Sequence, residues 1–116
     1  MKEILAFIRP NMFFKTKQAL TDERIFAFST CEVIGRGKEL VNVVSREGEA
    51  NAGAETNFVA KQALEIFVND DKIDQVINII KTVNSTGHHG DGKIFVLPLD
   101  DVIRIHTGVT GEEALI

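Results

Sequence analysis

A strand-like run, a helical run and a second strand-like run follow one another in the first part of the chain and again in the second. That repetition limits the fold more than any other feature of the sequence. "KEILAFIRP" sets Ile4, Ala6 and Ile8 against Leu5 and Phe7, apolar on both faces as in a central strand covered on two sides, and Pro10 ends it. From Asn11 to about Arg24 the pattern predicts a helix, with Phe13, Thr16 and Leu20 on one stripe and Asn11 placed to cap it. "FAFSTCEVIG" reads as a second strand that ends at Gly35. In the second half "NFVAKQALEIFV" is a third strand, Asn69, Asp70 and Asp71 offer caps, and Ile73, Val76, Ile77, Ile80 and Val83 recur at helical spacing. "KIFVLPL" is the fourth strand, closed by Pro98.

The order βαββαβ predicts an α+β ferredoxin-like sandwich, a four-stranded antiparallel sheet with both helices on one face. Its other face is then bare. Strands one and three carry apolar residues on both sides, so self-association is the expected cover. With 116 residues, 44% hydrophobic and 26% charged, the chain suits a single domain over residues 1–116. No apolar run approaches the ~20 residues of a membrane span, and the first residues lack the layout of a secretion signal. A cytoplasmic protein without membrane insertion is expected. Cys31 is the single cysteine, which leaves no internal disulfide or cysteine-cluster metal site and suggests a small buried residue. The net charge of -4 is opposite to the basic footprint of nucleic-acid binders.

Between the second helix and the fourth strand lies "STGHHGDGK", in which Gly87, four further residues, Gly92 and Lys93 have the spacing of a phosphate-binding loop. The usual loop of that kind follows a strand and opens a helix. Here it follows a helix and opens a strand, and Ile94 stands where a hydroxyl should hold magnesium. Glycines at 87, 90 and 92 could still turn amides inward around an anion, with Lys93 adding charge. The plain alternative is a helix-to-strand turn with Gly87 as the helix-ending glycine.

"GHHGDGKIFVLPLDDVIRIHTG", "TCEVIGRGKE" and "NFVAKQALEIFV", taken together and in this order, resemble the PII signal-transduction family over nearly the full chain. The resemblance implies a trimeric sensor with a ferredoxin-like fold that binds ATP or ADP between subunits and, beside magnesium-ATP, 2-oxoglutarate. By the same resemblance, residues from about 86 to 93 form the loop around the nucleotide phosphates, through Gly87, Gly90, Asp91, Gly92 and Lys93. Gly37 and Lys38 match the contact from the neighbouring loop. Arg104 and His106, in a C-terminal loop of about 99–108, match a phosphate clamp. Ser29 and Phe67 line the adenine and ribose side, and Lys61 matches the lysine that pairs with a 2-oxoglutarate carboxylate. Glu39 occupies the position next to magnesium and 2-oxoglutarate, where the family usually has glutamine. A carboxylate suits magnesium but opposes a dianion. His106 and His88 replace an arginine and a lysine, so fixed phosphate-binding charge is reduced.

Residues from about 38 to 57 correspond to the long T-loop with which the family docks on its targets. Their glycines, alanines and charges cannot make a core, which predicts mobility until bound, with Val41, Val43 and Val44 available for a ribbon at the base. The chain has no tyrosine, so uridylylation of a loop tyrosine is absent. "GRGK" from Gly35 to Lys38 and "MKEILAFIRPN" resemble the nitrogenase-associated subgroup, which implies inhibition of nitrogenase relieved by 2-oxoglutarate and cooperation with a paralogous PII subunit in a hetero-oligomer. Other expectations within the family are an ammonium channel or another nitrogen-assimilation target, or a PII-like trimer holding a different small ligand or metal. No nucleophile, base and orienter stand in recognisable arrangement, so a regulator rather than an enzyme is expected. An RNA-binding sheet would need exposed aromatics in a basic setting. His88 and His89 are adjacent, and adjacent side chains rarely converge on one metal.

Overall fold

The computed structural model describes residues 1–42 and 55–116, and the side chains of residues 1–36 and 58–116. Its elements are β1 (Lys2–Ile8), α1 (Phe13–Asp22), β2 (Ser29–Asn42), β3 (Glu55–Val68), α2 (Ile73–Asn84) and β4 (Gly92–Pro98). The sheet order is β2-β3-β1-β4, antiparallel throughout. This is the ferredoxin-like βαββαβ topology that the repeated pattern predicts. Register follows from the alternation of side chains: Ile4 lies opposite Ile66 and Val96, and Ala6 opposite Leu64 and Ile94. Ile4, Ala6, Leu64 and Ile66 meet Leu20 of α1 and Val76 and Ile80 of α2 in one buried cluster, with Ile94 packed against it, so both helices cover the same face.

Between the helices one polar contact is buried. Asn84 Nδ2 donates to Thr16 Oγ1 at 3.0 Å and to the Ile80 carbonyl at 2.9 Å, while the Thr16 hydroxyl donates to the Met12 carbonyl at 2.8 Å. Thr16→Val keeps the shape and removes the acceptor, leaving the buried amide under-bonded. A loss of about 1–2 kcal/mol is expected. The check is a lower denaturant midpoint at unchanged slope.

Several local expectations are corrected. Each helix begins through a 3-10 turn, Pro10–Met12 and Asp70–Lys72, and no side-chain cap forms at Asn11, Asn69, Asp70 or Asp71. The turns supply backbone partners in place of caps: Met12 N–H bonds the Arg9 carbonyl and Lys72 N–H the Asn69 carbonyl, both at 3.0 Å. Gly35 does not end β2. It pairs with Val59, and after an irregularity beyond Arg36 the ladder resumes with Val41 opposite Thr56 and Asn42 opposite Glu55. A glycine weakens a strand but does not stop it while the partner strand continues. The ladder therefore runs into both ends of the segment read as an arm; Val43 and Val44 lie outside the described residues. Gly87 is not the helix-ending glycine, because Ser85 already leaves the helix in extended conformation.

The second sheet face is open. Leu5, Phe7, Phe95 and Leu97 lie on it, and the Phe7 and Phe95 rings meet edge to face at 5.9 Å. β3 is less apolar there than expected, since Lys61 and Glu65 share that face with Ala63 and Phe67. Glu3 and Glu65 share a hydrogen bond, which raises the Glu3 pKa, with burial and the neighbouring charge adding to the effect. Cys31, expected to be buried, is exposed on the same face opposite Ala63: β2 is an edge strand, and its neighbours Thr30 and Glu32 on the other face are exposed as well. Among the described residues, no helix is long and apolar enough to cross a membrane.

Candidate functional site

The turn between α2 and β4 is built around one carboxylate. Asp91 Oδ2 accepts from the Thr86 and Gly87 amides at 2.7 and 3.2 Å, and Oδ1 accepts from the Thr86 hydroxyl at 2.5 Å. The His88 amide turns to the Thr86 hydroxyl at 3.2 Å. Gly87, Gly90 and Gly92 have φ of 83°, 95° and 121°, in the region that suits glycine. An inward-facing nest of amides does exist, but its first occupant is the loop's own aspartate. Donors for an external anion then come from the later part of the loop and from side chains.

Three cations surround that later part. Arg9, just past β1, donates from Nη1 to Asp91 Oδ1 at 2.6 Å and from Nη2 to the His89 carbonyl at 2.9 Å. Lys61, on β3 one residue beyond the partner of Ile8, donates to the Gly90 carbonyl at 2.5 Å. Lys93 follows on β4, exposed and opposite Phe7. Burial, then the nearby Arg9 charge, lowers the Lys61 pKa, and Asp91 partly offsets this. Hydrogen bonds from Thr86 first, then from Arg9, hold the Asp91 carboxyl far below the usual carboxylate range. The stability this contributes is present above the ordinary carboxylate pKa and lost only as pH falls through the depressed one.

The other predicted residues gather elsewhere. Ser29 and Phe67 line a cavity of about 560 Å³ with Phe26, Glu65, Leu99 and Leu115. Arg104 is bound beside it: Nη2 donates to the Glu113 and Ile116 carbonyls, each at 2.8 Å, in the C-terminal turn that supplies Leu115. His106 is exposed in the bend after Arg104. Gly37, Lys38 and Glu39 continue β2, and their side chains lie outside the described residues.

The two groups sit at opposite ends of the sheet. Gly92 pairs with Ile8 at one end, and Leu99 N–H bonds the Met1 carbonyl at the other. Seven residue steps of ~3.3 Å separate them by roughly 23 Å. Lys93 and Arg104 therefore cannot grip one phosphate chain within a single copy. No group of His, Cys, Asp and Glu fit to hold a metal occurs among the described residues.

Comparison with known proteins matches residues 1–109 to the family model described as nitrogen regulatory protein P-II. This chain belongs to the P-II family. This P-II protein is a regulator of nitrogen signalling, not an enzyme. It is 40% identical to "Nitrogen fixation nifHD region GlnB-like protein 2" of Methanothermococcus thermolithotrophicus, over 99% of this chain and 98% of the relative. The similarly named protein of Methanothermobacter marburgensis is 40% identical over 99% of this chain and 100% of its own. "Nitrogen regulatory protein P-II" of Pasteurella multocida is 38% identical over 99% and 100%. The nifHD-region relatives belong to the subgroup suggested by "GRGK" and the N-terminal run.

Arg9 is the site residue that sequence reading overlooked. A signal was available: β1 and β4 are neighbours in this topology, so a basic residue just past the end of β1 must lie against the loop that enters β4.

Proposed function

We propose that copies of this P-II protein close into a trimer, alone or with a paralogous P-II subunit, and bind ATP or ADP at each junction. The observation that carries this reading is the division of the site: a cationic glycine loop at one end of the sheet, and the Ser29, Phe67 and Arg104 group at the other. A site that needs both ends takes one from each of two copies. Such a head-to-tail contact closes into a ring. The apolar open face supplies the cover such a ring needs, and the cavity beside Ser29 and Phe67 has apolar walls and a few polar groups, as suits a planar base.

In this reading Lys93 and the later loop hold phosphate from one copy, and Arg104, with His106 beside it, clamps from the next. Gly37, Lys38 and Glu39 approach along β2, Glu39 being the residue suited to magnesium. Lys61 takes a carboxylate of 2-oxoglutarate. Bound magnesium ion would supply charge neutralisation at the phosphates. The arm of about 38–57 then conveys the ligand state to an enzyme of nitrogen metabolism, with nitrogenase favoured by the nifHD-region names of the relatives. Ligands bias the arm only by binding some of its states better than others, and the coupling is reciprocal.

Light scattering of the pure protein, followed by calorimetry with ATP with and without 2-oxoglutarate, tests the reading. A trimer-sized particle that binds ATP is expected. A stable monomer at micromolar concentration, or a trimer blind to adenine nucleotides, would remove it. Deletion of Ser45 to Ala54 should spare ligand binding and abolish inhibition of the target; full inhibition by the deleted protein would place output elsewhere.

A further inference from the structure

We propose that Arg9 is the positioning residue of the phosphate loop, holding it in its binding shape before any nucleotide arrives. This rests on the nucleotide reading of the site. One guanidinium reaches two parts of the loop at once, the Asp91 carboxylate at 2.6 Å and the His89 carbonyl at 2.9 Å. Asp91 in turn fixes the Thr86 and Gly87 amides. The chain of contacts thus runs from the end of β1 through Arg9 and Asp91 to the first turn of the loop. A planar fork presents two separate nitrogens to the two acceptors, which a lysine ammonium with its single nitrogen does not.

Gly90 completes the arrangement. A Cβ there would lie 3.1 Å from Arg9 Nη2, and φ of 95° would strain any side chain. The bare glycine lets the guanidinium lie close to the loop backbone. Asp91 is spent inside the loop on this account, so its contribution to ligand binding is to hold the amides rather than to meet phosphate. Arg9 contributes through Asp91 in the same way, because the charge it would offer an anion is already paired.

The test compares full-length wild type with Arg9→Met, Arg9→Lys, Asp91→Asn and the Arg9→Met, Asp91→Asn double variant. ATP affinity is read by calorimetry, and amide hydrogen exchange over residues 86–92 is read without nucleotide. Arg9→Met should exchange faster across the loop and bind ATP about tenfold more weakly, the effect of losing a charge-assisted pair. Arg9→Lys should recover only part of either loss. The double variant should be no weaker than the worse single variant, since both remove one linkage. Weaker ATP binding with unchanged exchange would make Arg9 a direct phosphate ligand and overturn the proposal, as would full recovery by lysine. Should Arg9→Met fail to fold, Arg9→Gln, which keeps a polar side chain but removes the charged fork, should give the same paired signature; normal exchange and affinity there would also overturn it. If wild type binds no ATP, the nucleotide reading fails, and exchange alone still decides whether Arg9 holds the loop.

Discussion

Alanine at Gly92 is expected to lower the melting temperature by about 10 °C or more, the largest effect of an added methyl at any of the described glycines. An ideal Cβ at that position would stand 2.0 Å from the Phe7 carbonyl oxygen, 3.1 Å from its carbon and 3.3 Å from Ile8 Cα. All three are backbone atoms of β1 and cannot rotate away. Gly92 also has φ of 121°, where an L side chain is strained. Strain of ~1–3 kcal/mol adds to overpacking of ~1–3 kcal/mol, and for a domain of this size about 3 kcal/mol corresponds to roughly 10 °C. Gly35→Ala is the control: its Cβ meets nothing within 4 Å, so stability should change little. A Gly92→Ala protein that melts within about 2 °C of wild type would show that the start of β4 does not need this close approach.

On the proposed reading, removing the two cations assigned to phosphate is expected to have the largest effect on ligand binding. If each holds phosphate as proposed, Lys93→Ala and Arg104→Ala should each delete a charge-assisted contact of ~1.5–3 kcal/mol, a roughly ten- to hundredfold loss of ATP affinity. Arg104 also holds the C-terminal turn through the Glu113 and Ile116 carbonyls. Its alanine variant should therefore lose order there as well, whereas Lys93→Ala, on an exposed strand position, should melt like wild type. Both variants binding ATP at wild-type affinity would move the phosphate site away from these residues.

The fold was legible because two signals agreed. Apolar positions two apart in β1 and three or four apart in α2 point at one core, and the repeated order of elements leaves few ways to bring them together. Boundaries were less legible, since they depend on partners outside the segment: β2 passes Gly35 because β3 goes on pairing with it. Caps were misread at Asn11 and Asn69 because a 3-10 turn already supplies the donors' partners. Cys31 looked like a core residue by type, yet β2 is the edge strand, and its residues on both faces around Cys31 stay exposed. At the loop, spacing alone allowed an anion nest but could not tell that Asp91 would fill it. The roles proposed for Lys61 and Arg104 had no local signal at all, because one lysine or arginine in a strand or loop looks like any solvated charge. Only the family resemblance singled them out.

The central claim is that each nucleotide site is shared by two copies, one giving Lys93 and the next giving Arg104. Subunit mixing tests it most directly. Lys93→Ala and Arg104→Ala chains, each a poor binder alone, are unfolded together in equal amounts, refolded as mixed rings and titrated with ATP. If sites are shared, about a quarter of the junctions pair an intact loop with an intact clamp, and that fraction should bind ATP at wild-type affinity. If each chain holds a whole site, mixing rescues nothing, and a titration showing only weak binding by well-mixed rings would contradict the account.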